Sequence, residues 1–133
     1  MSMRASLAIV VVTHNRRESL LGTLEKLHEL EAAYQVVVVD NASTDGTVTA
    51  VQQHFPQVQV VPRTTNIGAV ARNDGVRLVR QPYVAFADDD SWWARGALSR
   101  AVTIFETHSR LGLIMSRILV GPEERLDPCC ELM

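Results

Sequence analysis

Cysteine is almost missing from these 133 residues: the only two, Cys129 and Cys130, are adjacent. Neighbouring cysteines rarely close an unstrained disulfide. The pair offers no disulfide framework and no zinc-ligand spacing. The four histidines, His14, His28, His54 and His108, are scattered and form no metal motif. Long apolar runs are missing as well. The longest strictly apolar stretch covers residues 7–12, far short of a bilayer span. It follows Arg4, as in a secretion signal, yet it is too short for one and no small-residue cleavage site comes after it. A cytoplasmic protein without a membrane span is the expectation. Basic clusters are lacking too. Arg16-Arg17 is the densest pair and the net charge is −2, so nothing points to nucleic acid or an acidic membrane as partner. No G-x-G-x-x-G follows a strand and no G-x-x-x-x-G-K-[ST] occurs, which disfavours a dehydrogenase and a P-loop NTPase. Residues 13–18 hold no glycine, against a nucleotidyltransferase with a glycine-rich phosphate loop after its first strand.

What is present is a folding chain. A hydrophobic fraction of 47% separates it from disordered sequences, and its length suits one ordinary domain. Strand-like and helix-like segments alternate. Residues 7–12, 36–39, 58–61 and 83–87 read as strands, the first two continuously apolar as in strands buried on both faces. Apolar residues at 20, 21, 24, 27 and 30 mark a helix over 16–30. Val48, Val51 and Phe55 mark a short helix stopped by Pro56. Ile67, Val70, Ala71, Leu78 and Val79 stripe another, and Ala94, Leu98, Ala101, Val102 and Phe105 a fourth. Residues 111–120 read as a fifth strand. The alternation predicts an α/β fold, a mostly parallel twisted sheet with helices on both faces. Residues 121–133, with two prolines and four acids, are expected to form a loose tail.

The polar residues fall where such sheets bind ligands, at the carboxyl ends of the strands. The first strand ends in Thr13-His14-Asn15-Arg16. The second ends in Asp40-Asn41-Ala42-Ser43-Thr44-Asp45-Gly46, where 43–46 read as turn and cap chemistry and Asp40 as a ligand group. The fourth runs straight into Asp88-Asp89-Asp90. Three adjacent carboxylates repel one another, and a divalent cation relieves that repulsion. The competing reading is a solvated acidic loop that caps the next helix. Residues 66–75, Asn-Ile-Gly-Ala-Val-Ala-Arg-Asn-Asp-Gly, place Asn66 with Asn73 and Gly68 with Gly75 seven apart, on shared faces of one helix. Two helical glycines point to close approach of a ligand or another backbone. Arg72 suits a phosphate or a carboxylate, and pairing with the triplet until ligand arrives satisfies both. For Trp92-Trp93, one ring in the core and one over the loop is favoured above stacking on a sugar.

Taken together, residues 11–16, 39–47, Asn66-x-Gly68 with 71–75, and Asp88-Asp89-Asp90 resemble the family 2 glycosyltransferases of the GT-A fold, in the family's order and spacing. The resemblance covers residues 7 to about 100 and implies a UDP-, GDP- or dTDP-sugar donor with Mn²⁺ or Mg²⁺. By similarity Thr13 and Asp40 would contact the base. Arg16 would lie near base or diphosphate, and Arg72 would line the pocket. Asp88 would reach ribose or metal, and Asp90 would ligate the metal. Asn15, Asn66, Gly68, Asn73 and Asp89 complete the implied donor set. The family's acceptor-binding half, with its general-base motif, should follow the fifth strand. No such motif occurs before Met133, and none of Glu106, Glu123, Glu124 and Asp127 stands in a matching context. The chain therefore reads as a donor-binding portion, residues 1–120, and a non-catalytic nucleotide-sugar binding module is the alternative. An apolar edge at 111–120 would favour a homodimer.

Overall fold

The structure is a computed structural model and describes residues 6–132. Residues 1–5 of the expected donor-binding portion and Met133 of the expected tail lie outside it. The chain divides between Val102 and Thr103 into two compact units.

In the first unit four strands form one sheet: β1 (Leu7–Thr13), β2 (Gln35–Asp40), β3 (Gln59–Pro62) and β4 (Tyr83–Asp88), in the order β3-β2-β1-β4. All neighbours run parallel. β1 is central, and its Val- and Ile-rich run is buried on both faces, with Leu7 to Val11 at most 3% exposed. β-branched residues suit such a doubly covered strand. On one face Leu7, Ile9 and Val11 join Leu20, Leu24 and Leu27 of α1 (Arg17–His28), Val51 of α2 (Thr47–His54) with Phe55 just after it, and Leu98 of α4 (Ala97–Thr107). Trp93 packs against this cluster while Trp92 stays 54% exposed. The other face carries α3 (Arg72–Val76), whose Gly75 lies directly over Val10 and Val39.

The expected α/β architecture is therefore present, with two departures. Residues 67–79 do not form one helix. Gly68 has φ of +64°, outside the right-handed helical region. The chain makes a 3-10 turn at Gly68–Ala71 and only then the short α3. Asn66 and Gly68 precede the helix that holds Asn73 and Gly75, so neither pair shares a helix face. The close approach expected at the glycines is real at Gly75, but the neighbour is the sheet. Residues 111–120 are the second departure. Of residues 111–120 only β5 (Leu119–Val120) is strand, and it pairs antiparallel with β6 (Arg125–Leu126) around a turn with Gly121 and Glu124 at positive φ. Residues 111–118 have no ladder partner among the described residues, and an apolar run without one forms no strand. The segment expected as a loose tail carries β6 and a 3-10 turn at Pro128–Leu132.

Both helices of the β1–α1 and β2–α2 connections start on one carboxylate. Asp45 Oδ2 accepts the Arg17 N–H at 3.0 Å. Asp45 Oδ1 accepts the Thr47 N–H at 3.1 Å and the Thr47 hydroxyl. Arg17 Nη1 returns a bond to the Asp45 carbonyl at 3.1 Å. A carboxylate suits helix N-termini, whose first N–H groups lack partners within the helix. The Thr47 hydroxyl contributes most to holding the Asp45 carboxyl below its ordinary value of 3.8, against a smaller opposing push from burial.

Two outcomes follow from this packing. A Cβ on Gly75 would stand 2.5 Å from Val10 Cγ1 and 3.2 Å from Val39 Cγ2, and Val side chains in a packed sheet cannot swing away. Gly75→Ala should destabilise the fold by about 1–3 kcal/mol in urea unfolding; an unchanged midpoint would mean that α3 floats. Asp45→Ala should cost about 1 kcal/mol near neutral pH. Because the folded-state pKa is depressed, this contribution is complete above the ordinary value. It fades as pH falls through the lower folded value. The gap between variant and parent in pH-dependent urea unfolding should therefore close in acid and stay constant from pH 6 to 8.

Candidate functional site

Parallel pairing puts the carboxyl ends of β2, β1 and β4 side by side. Thr13 is opposite Asp40, and Val12 opposite Asp88. Strand order reverses at β1, which leads outward through β2 to β3 on one side and meets β4 on the other. The three polar loops expected to line one crevice thus stand on one sheet edge, at the place where open α/β sheets bind ligands.

The acidic loop alternates. The side chains of Asp88 and Asp90 are 68% and 51% exposed, whereas that of Asp89 is 8% exposed. Asp89 Oδ2 accepts the Thr13 hydroxyl at 2.8 Å, and Oδ1 lies 3.3 Å from Arg16 Nη1. The Asp89 carbonyl accepts the hydroxyls of Ser19 at 3.0 Å and Thr23 at 2.9 Å. The Asp88 N–H donates to Ser91 Oγ at 3.2 Å, closing the turn. Each outward acid meets an arginine from another element. Arg16 Nη2 sits 3.1 Å from Asp90 Oδ2, and Arg72 Nη2 sits 2.9 Å from Asp88 Oδ1. Arg72 is thus paired with the triplet, as the sequence suggested.

The β2 end is held just as closely. Asp40 is 2% exposed. Its Oδ2 accepts the Ser43 N–H at 2.9 Å, while its buried Oδ1 has no partner among the described residues. Asn41, also buried, donates from Nδ2 to the Gly68 carbonyl at 2.9 Å and accepts the Ile67 N–H at 3.2 Å. The Asn41 carbonyl lies 2.7 Å from His14 Nδ1. These bonds join the β1, β2 and 66–68 segments. Arg63, just after β3, donates its N–H to the Asp40 carbonyl at 2.9 Å and pairs with Asp74 of α3, which also takes Arg77 at 2.8 Å.

Of the expected donor set, Thr13, Arg16, Asp88, Asp89 and Asp90 form one bonded cluster with Arg72. Asp40 stands beside Thr13 in the ladder. Asn15, at φ of +50°, does not cap α1: its N–H donates to Ser43 Oγ at 2.8 Å and its Oδ1 accepts the Thr44 N–H at 2.7 Å. Asn66 Oδ1 accepts the Gly68 N–H at 2.9 Å, an Asx turn that shapes the loop. Asn73 is exposed on α3. An open cavity of about 320 Å³ lies around the start of α1, lined by Asn15, Arg16, Arg17, Glu18, Ser19 and Asp45. Sequence reasoning missed Ser19, Thr23 and Asn41. The signal for the first two was two hydroxyls four apart among the apolar positions of α1.

Among the described residues no group of three or more acid, histidine or cysteine side chains could hold a cation alone. Asp88 and Asp90 are the two exposed carboxylates of this loop, and each is paired with an arginine. No helix among the described residues is long and apolar enough to cross a membrane.

The glycosyl transferase family 2 sequence pattern matches residues 8–129. An uncharacterized glycosyltransferase of Haemophilus influenzae is 28% identical over 110 residues, 81% of this chain and 37% of that protein. The mannosyltransferase PcManGT from Pyrobaculum calidifontis, solved in complex with GDP-Man and Mn²⁺, is 32% identical with a TM-score of 0.69. The match covers 78% of this chain and 33% of that one. Staphylococcus aureus TarS 1–349 shares the fold at 21% identity and a TM-score of 0.69, over 90% of this chain and 40% of that one. The chain thus spans about a third to two fifths of these three proteins. With the parallel sheet, the edge loops and the acid triplet in place, the match over residues 8–129 shows that this chain belongs to glycosyl transferase family 2.

Proposed function

We propose that this chain binds the donor of a glycosyltransferase, a nucleotide-diphospho-sugar, together with a divalent cation. The observation that carries the reading is the pairing at the edge of β1 and β4. Each exposed carboxylate suited to a cation is paired there with a guanidinium suited to a diphosphate, Asp90 with Arg16 at 3.1 Å and Asp88 with Arg72 at 2.9 Å. A metal–diphosphate complex offers the complement of both. Arg16 and Arg72 would turn from Asp90 and Asp88 to the phosphate oxygens, with the planar fork that favours Arg at such groups. Asp88 and Asp90 would then hold Mn²⁺ or Mg²⁺, with Asp88 also within the reach expected for the ribose. The bound cation would stabilise the charge that develops on the leaving nucleoside diphosphate. The unpartnered Oδ1 of Asp40 would accept a base N–H, since a buried acceptor left without a donor costs free energy. Asn15, Asn66 and Gly68 would shape the loops around the donor, and Asn73 would stand next to Arg72. The similarity to a mannosyltransferase described with GDP-Man and Mn²⁺ supports the cation and a nucleotide-sugar.

Calorimetric titration with UDP, GDP and dTDP, with and without Mn²⁺, tests the reading. One of the three should bind more tightly with Mn²⁺. Asp90→Ala should remove at least about 1.4 kcal/mol of that binding, a tenfold loss. Arg72→Gln should weaken binding both with and without the metal. If none of the three nucleotides binds in Mn²⁺, the acid triplet is a solvated loop and the proposal falls.

A further inference from the structure

Asp89 is gripped at both ends. Its buried carboxylate takes Thr13 and Arg16, and its carbonyl takes two hydroxyls, from Ser19 and Thr23. A carbonyl oxygen has two lone pairs, so its acceptor capacity is filled. Both hydroxyls come from α1, one turn apart, and Thr23 is 0% exposed among the leucines of that helix. A helical threonine can satisfy its hydroxyl on the carbonyl four residues back. Here the hydroxyl reaches residue 89, on the loop after β4.

We propose that Ser19 and Thr23 of α1 are positioning residues for the donor cation: by anchoring the Asp89 carbonyl they set the outward direction of Asp88 and Asp90. The inference rests on the donor-and-cation reading above. Asp88 ends β4, and residues 88–91 make a turn closed by bonds between Asp88 and Ser91. In that turn Asp89 is buried and both of its neighbours are exposed, so holding the Asp89 carbonyl fixes the turn from which Asp88 and Asp90 project. The same helix start brings Arg16 onto Asp89 and Asp90. Asp89 itself, with its carboxylate already bonded, supports the geometry and does not contact the donor.

The test compares Ser19→Ala/Thr23→Val with the parent chain and with Thr23→Ser, which keeps a hydroxyl. Thermal unfolding is measured alongside calorimetric affinity for the nucleotide that binds, with and without Mn²⁺. Removing groups that orient metal ligands commonly weakens metal binding by about 10–100-fold. Affinity in Mn²⁺ should therefore fall at least about tenfold in the double variant, with less than about a twofold change without metal. Thr23→Ser should stay within about twofold of the parent in both conditions. A purely structural role would lower the unfolding temperature while both affinities moved together, and that result would overturn the proposal, as would unchanged affinities. A parent chain that gains nothing from Mn²⁺ would sink the donor-and-cation reading along with it. Should the double variant not fold, Ser19→Ala alone must show a loss confined to the Mn²⁺ condition.

Discussion

Ala8 to Thr13 pair with Gln35 to Asp40 on one side of β1, and Leu7 to Val12 with Tyr83 to Asp88 on the other, all in parallel. Parallel strands start at one edge of a sheet and finish at the other. Every chain segment that leaves β1, β2 or β4 therefore departs from the same edge. A slip by one residue would exchange the two faces of β1 and take Val10 from beneath Gly75. Helices on each side then force the connecting loops outward, where polar residues can reach a ligand. Without the central strand, Thr13, Asp40 and Asp88 would have no reason to be neighbours.

At that edge the electrostatics are arranged in pairs. Three acids in a row repel one another, and the fold relieves the repulsion by separating them. Asp89 goes inward to a hydroxyl and a guanidinium, while Asp88 and Asp90 go outward to Arg72 and Arg16. The two exposed pairs are partly solvated, and such pairs contribute little to stability. They are cheap to break, which suits groups that exchange one partner for another. The buried bonds around Asp89 are of the other kind, because leaving a buried acceptor without its donor is costly. The edge thus combines a buried node with two exposed ion pairs.

Much of the fold was legible. Continuous Val-rich runs gave β1 and β2, and the 3.6-residue period gave α1, α2 and α4, because burial of one face leaves a direct imprint on residue order. The third helix was misread because its apolar residues keep a helical spacing while Gly68 breaks the helix through backbone conformation, which periodicity does not record. Residues 111–120 were misread for a different reason. An apolar run has strand character only when a partner strand lies beside it, and pairing is not a local property. At the site, residue type and position pointed to Thr13, Arg16, Asp40, Arg72 and the triplet. Asp45 looked like ordinary turn and cap chemistry, and only the folded loops show Asp45 starting two helices and Asn15 tying one loop to the other.

The sequence by itself determined the α/β class, the location of the polar loops at strand ends and the family. These follow from local pattern and motif order, which need no knowledge of what meets what. The tertiary structure alone decided which acid of the triplet turns inward and which arginine answers each outward carboxylate. It alone brought two hydroxyls of the first helix onto a carbonyl 70 and 66 residues away. Those choices depend on distances between segments far apart in the chain. They are set by close packing of α1 against the sheet, and residue order does not encode such contacts one position at a time.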